Sequence, residues 1–156
     1  MSVEIMPPVV IVRTISAPRA RVFAAWTTAE HMSRWFGPDG FTVPECTVDF
    51  RVGGQFLLTM RGPDGRDYPC RGVYHEIAIP ERIVFTSSAL DGRGASLFDV
   101  HTVATFAEAG ARTAVRVEAK VAATHDPIAP TYISGMNEGW AQTVARMAAH
   151  AEGAAS

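Results

Sequence analysis

The sequence predicts an α+β fold: a curved antiparallel β-sheet wrapped around one long C-terminal α-helix, with two short helices after the first strand. Three observations predict it. Short β-branched or alternating segments follow one another from residue 45 to residue 122, joined by turns rich in Gly, Pro and Asp. The last of them, "RTAVRVEAKVA" (112–122), sets Thr113, Val115, Val117, Ala119 and Val121 against Arg116, Glu118 and Lys120, so one face is buried and the other wet. Then the period changes. Tyr132, Met136, Trp140, Thr143 and Met147 make one helical stripe, on the only predicted helix long enough to cover a sheet.

The elements follow in order. "VVIVRTI" (9–15) is a β-branched run and a first strand. In "SAPRARVFAAWTTAEHMSRWF" (16–36) Pro18 suits a first helical turn, and Val22, Phe23 and Trp26 share a helical face. Thr27 with Glu30 makes a capping-box pattern for a second short helix holding His31 and Met32, which "GPDG" (37–40) ends. Six strands are expected next: 45–50, 53–61, 67–79, 82–89, 95–107 and 112–122. The second "GPDG" (62–65) reads as a hairpin turn, and Gly53-Gly54 as a turn or bulge leading into a strand. "THDP" (124–127) is expected to cap and start a final helix running to about Ala151.

The 156 residues fit one domain, 1–156, with a core from about 9 to 151. With 47% hydrophobic and 19% charged residues the composition is globular, and a net charge of −2 gives no reason to expect nucleic acid. No apolar run reaches membrane-spanning length, and "MSVEIMPPVVIV" lacks the pattern of a cleaved leader, so a cytoplasmic protein is expected. Cys46 and Cys70 form no CxxC and read as two reduced, buried thiols.

Gly135 and Gly139 sit within the terminal helix, where each costs about 1 kcal/mol relative to alanine. Beside Tyr132, Met136 and Trp140, they either bring the backbone close to the sheet or leave volume open. Tyr132 and Trp140 each add a polar tip to an apolar body, as pocket walls do. Trp35 and Phe36 are aromatics at a pocket mouth or, the favoured reading, a plug under the helix–sheet junction. Asp99 and His101 share a strand face opposite Phe98, Val100, Ala104 and Phe106, and should point to solvent. His75 and Glu76 alternate, so one of them should enter the concave side, where it could act as an acid or base. The pattern does not decide which. Enzyme chemistry in a cavity would need His75, Glu76 or Glu45 turned inward.

The five histidines form no HxH, HxxxH or HxxEH, so no metal is expected; no GxSxG marks a nucleophile, and Gly53-Gly54 lacks the frame of a phosphate loop.

Four motifs together carry a resemblance: "ISAPRARVFAAWTTAEHMSRWFGP" (15–38), "VDFRVGGQF" (48–56), "GVYHEIAIPERIVFT" (72–86) and "GMNEGWAQTVARM" (135–147). In this order, over essentially the whole chain, they resemble the SRPBCC superfamily, and most closely its branch named for the activator of heat-shock protein 90 ATPase. The resemblance implies a helix-grip fold, similar to START and Bet v 1 domains, with a cavity between sheet and long helix. It implies binding of hydrophobic or aromatic small molecules, with polyketide cyclase or hydrolase chemistry as the alternative. A co-chaperone role is a minor alternative, since that activity belongs to longer proteins with an additional N-terminal domain. No catalytic residue set and no cofactor is implied. The residues expected to line the cavity are Trp35, Phe56, Met60, His75, Tyr132, Met136, Gly139 and Trp140. The expected partner is a small apolar or aromatic ligand, with no nucleic acid and no membrane; a homodimer is left open.

Overall fold

The computed structural model describes residues 7–153; residues 1–6, which open the stretch read for a leader, and 154–156 lie outside them. The chain runs β1 (Val9–Ile15), α1 (Arg19–Ala24), α2 (Ala29–Trp35), then β2 (Thr42–Val48), β3 (Gln55–Arg61), β4 (Asp67–Ala78), β5 (Arg82–Leu90), β6 (Ser96–Ala109) and β7 (Arg112–Thr124), and ends in α3 (Ala129–Ile133) and α4 (Met136–Gly153). Consecutive strands from β2 to β7 pair antiparallel, and β1 returns to pair with β7. The result is one seven-stranded sheet in the order β1-β7-β6-β5-β4-β3-β2. The curved sheet closing on the C-terminal helix is the helix-grip fold.

Alternation decides which face each strand offers to the helix. On β7, Thr113, Val115, Val117, Ala119 and Val121 are all buried, and Arg116 and Lys120 are exposed. On β6, Phe98, Val100, Ala104 and Phe106 are buried, while His101 is exposed and Asp99 half-buried on the other face. Turn chemistry agrees at "GPDG" 62–65. Gly65 adopts φ +83°, donates to Gly62 O at 3.0 Å and closes the β3–β4 hairpin.

The helices differ in detail from their sequence reading. Pro18 stands at the N-cap of α1, before its first turn, and the cap of α2 is Thr28, not Thr27: its hydroxyl accepts from His31 N–H at 3.2 Å. Thr27 instead donates back to Ala24 O. At the other end β7 runs on through Thr124. Asp126 then holds a turn, its side chain accepting from Ile128 N–H, and α3 begins only at Ala129. The expected single terminal helix is two. It breaks at Ser134-Gly135, where Ser134 Oγ donates back to Thr131 O and Gly135 N–H reaches only to Tyr132 O. A glycine beside a serine that bonds its own backbone is a weak place in a helix.

The core has two parts. The larger gathers α1, α2, the centre of the sheet and the second half of α4, including Trp35, Phe56, Phe106 and Met147. The smaller lies at the β6–β7 end under α3, around Phe98, Val121 and Ile133. Trp140 packs, half-buried, against both.

Candidate functional site: a cavity under the first half of α4

The two halves of α4 meet the sheet differently. Val144, Met147, Ala148 and Ala151 are buried, and burying a side chain such as Val144 or Met147 contributes roughly 1.5–3 kcal/mol. Met136, Gly139 and Trp140, one to three turns earlier, are only half-buried. Between this first half of the helix and the sheet lies a cavity of about 710 Å³. A Cβ built on Gly139 would meet nothing within 4 Å, so this glycine does not serve a close backbone approach; it fronts open volume.

The cavity wall is mostly apolar. Met136, Gly139, Trp140 and Thr143 form the helix side; Met60, Cys70, Ser87, Ala89, Phe98 and Val100 form the sheet side. Phe36, Gly37, Pro38 and Phe41, from the α2–β2 connection, close one flank. Aromatic rings meet near the exposed rim: Tyr68 and Tyr132 stand edge to face at 6.3 Å and 89°, and tilted rings lie beside them, Phe41 at Tyr68 and Phe98 at Tyr132.

The flank is held by α4 itself. Arg146 donates from Nη1 to Gly37 O at 2.7 Å and Pro38 O at 2.8 Å, and from Nη2 to Phe41 O at 3.0 Å. One turn back, Gln142 Oε1 accepts from Asp39 N–H at 3.0 Å. Gln142 and Arg146 do lie off the apolar stripe, but the face they occupy grips a loop.

Polar groups at the wall are few. Thr143 donates to Gly139 O at 2.7 Å. Burial pushes the Cys70 thiol up to about 12, and burial also raises Cys46, two strands further out; both cysteines are free. At the rim, the side-chain hydrogen bond from Arg61, at 2.8 Å, holds Asp67 below the usual carboxylate range. The N–H groups of Ala95 and Arg93 do the same for Asp91.

Of the eight residues expected at the cavity, Met60, Tyr132, Met136, Gly139 and Trp140 come together at its wall. Trp35 does not. It is fully buried as a plug, its indole N–H donating to Ala25 O at 2.9 Å and its ring 4.8 Å from that of Trp26; its neighbour Phe36 lines the cavity instead. Phe56 is also in the closed core, packed over Gly72, where a Cβ would run into its ring.

His75 is on the outer face, and so is Glu76. A register shift between Tyr74 and Glu76 marks a β-bulge, which breaks the alternation that would have sent one of the two inward. His75 Nε2 lies 2.7 Å from Thr86 Oγ1 and its ring stacks on His101; Glu76 pairs with Arg82. Glu45, the third candidate for acid–base chemistry, is exposed on edge strand β2. Asp99 lies on the outer face too. Burial raises its pKa, but hydrogen bonds from Ser88, Ser96 and His125 outweigh this and hold it low.

Sequence reasoning missed Pro38, Phe41, Tyr68, Cys70 and the clamp residue Arg146. An arginine on the polar side of a helix carries no local signal that separates a clamp from a solvated side chain. Among the described residues no group of three or more His, Cys, Asp or Glu is placed to hold a metal ion, and no helix is long and apolar enough to cross a membrane.

The family model of the activator of Hsp90 ATPase homolog 1-like protein matches residues 16–152. Among curated proteins none matches the chain. A solution NMR structure of a protein from Arthrobacter aurescens is 25% identical, covers 98% of this chain and 90% of its own, and has a TM-score of 0.83. A crystal structure of a protein from Chromobacterium violaceum is 27% identical over 93% of this chain and 96% of its own, with a TM-score of 0.75. The AHSA1 protein from Silicibacter pomeroyi, at 18% identity, 91% and 95% coverage and a TM-score of 0.73, shares the fold.

Proposed function

This chain belongs to the activator of Hsp90 ATPase homolog 1-like family, within the SRPBCC superfamily, and from that premise we propose that it binds a small hydrophobic or aromatic molecule in the cavity between its sheet and α4. One observation carries the reading: a volume of about 710 Å³, walled mainly by apolar and aromatic side chains, fronted by a glycine whose missing side chain nothing else fills. A cavity of this size and lining, with a few neutral polar groups, suits a drug-sized ligand. Met60, Tyr132, Met136, Gly139 and Trp140 are the proposed contact residues, joined by Phe36 and Phe98.

The cyclase or hydrolase alternative required a titratable group on the concave face. His75, Glu76 and Glu45, its three candidates, are all exposed. The co-chaperone reading rests on the family's name alone. Two unpaired cysteines support a cytoplasmic location. Native mass spectrometry of the purified protein tests the reading, with a co-purifying apolar molecule expected. No such adduct, together with no response to apolar aromatic ligands by calorimetry, would discard it.

A further inference from the structure

Taking the cavity as the binding site, as proposed above, we infer that it accepts a ligand only in uncharged form, with a hydroxyl, amine or carbonyl as its polar group, and rejects the carboxylate or sulfonate of the same skeleton. The charged groups around the wall are already engaged or stand in water. Arg146 is committed to the carbonyl oxygens of Gly37, Pro38 and Phe41. Asp67 is paired with Arg61, and Asp91 accepts from two backbone N–H groups. Arg66 lies exposed on the rim, where solvent screens whatever it could offer an anion. The first turn of α4 carries its own carboxylate, Glu138.

What remains inside is neutral. The Ser87 hydroxyl on the sheet wall and the Trp140 indole N–H on the helix wall have no hydrogen-bond partner among the described residues, so each is available to a ligand hydroxyl or carbonyl. Neither compensates the loss of water around a full negative charge. The same wall already resists one. Burial holds Cys70 as a thiol, pushed up to about 12.

A matched pair of dyes tests this. N-phenyl-1-naphthylamine and 1-anilinonaphthalene-8-sulfonate share one ring skeleton, differ by a sulfonate, and both brighten in apolar surroundings. Titrated against the wild-type protein, the neutral dye should bind at least about tenfold more tightly, a difference of about 1.4 kcal/mol. Its signal should be lost in Gly139→Leu, and in Met60→Trp, which narrows the cavity from the opposite wall should leucine disturb the helix. A smaller preference for the neutral dye, or tighter binding of the sulfonate, overturns the charge selection and leaves the cavity reading standing. No brightening of the neutral dye, or brightening unchanged in both filled variants, overturns the cavity reading and the selection with it.

Discussion

Arg146, on the polar side of the last helix, donates to the carbonyl oxygen of Gly37 at 2.7 Å, and with two further carbonyls it pins the loop that walls the cavity. Hydrogen bonds from a charged donor are each worth about 1.5–3 kcal/mol. The three bonds share one half-buried guanidinium and do not add, so Arg146→Ala should cost about 2–3 kcal/mol in urea unfolding. Arg146→Lys should recover only part of it, because an ammonium lacks the planar fork that reaches separate oxygens. Full recovery by lysine would mean that charge alone, not the fork, holds the loop.

Gly139→Leu puts a side chain where a Cβ meets nothing within 4 Å. Leucine is the better helix former, by somewhat under 1 kcal/mol. The variant should be as stable as the wild type or slightly more so, and should lose ligand binding. A marked loss of stability would show that the helix cannot accept the side chain without moving.

Trp140 reports on the same space. Trp26 and Trp35 sit in the closed core with their rings 4.8 Å apart, while Trp140 is half-buried at the wall. A ligand-induced change in indole fluorescence should vanish in Trp140→Phe, at a stability cost on the order of 1 kcal/mol. Trp140→Ala should cost less than the roughly 3–5 kcal/mol typical of a fully packed indole. A fluorescence change that persists in Trp140→Phe would place the ligand elsewhere.

Cys70 should resist alkylation more strongly than Cys46, which is only half-buried. The thiolate is the reactive form, and burial raises both thiols, Cys70 to about 12. With iodoacetamide at about pH 8, mass spectrometry should find the native protein unmodified at Cys70 and the denatured protein modified at both positions. Cys70 lines the cavity, so rapid modification in the native protein would show that its thiol is not held protonated at that wall.

His31 Nδ1 and His150 Nε2 lie 2.9 Å apart, joining α2 to α4. Burial, then the charges of His31 and Arg34, hold His150 below its ordinary value of 6.5. The native state thus binds fewer protons than the unfolded state just below that pH, so stability should fall as pH drops from about 6.5 towards the lowered native value. Urea midpoints measured across this window should fall less in His150→Gln than in the wild type. Equal slopes would assign the pH dependence to other groups.

The arrangement of strands and helices was legible in the sequence because it rests on local periods. β7 and β6 show their buried face through strict alternation, and "GPDG" at 62–65 supplies the positive-φ glycine its turn requires. Half of the cavity was legible for the same reason: the stripe Tyr132, Met136 and Trp140 states which side of the helix is apolar.

Other features depend on partners distant in the chain, and only the tertiary structure decided them. The bulge that turns both His75 and Glu76 outward is a matter of how β4 counts against β5, and one extra residue leaves no trace in the alternation itself. The same holds for Arg146, whose three acceptors are backbone carbonyls in a loop more than a hundred positions earlier. Trp35 and Phe56 are as apolar as Phe36 and Met60, yet one pair fills the core and the other borders the cavity. A side chain's hydrophobicity sets that it will be covered. Whether protein or a ligand covers it depends on how closely α4 approaches the sheet at that point, and that distance comes from packing at its far end, where Val144, Met147 and Ala151 are clamped.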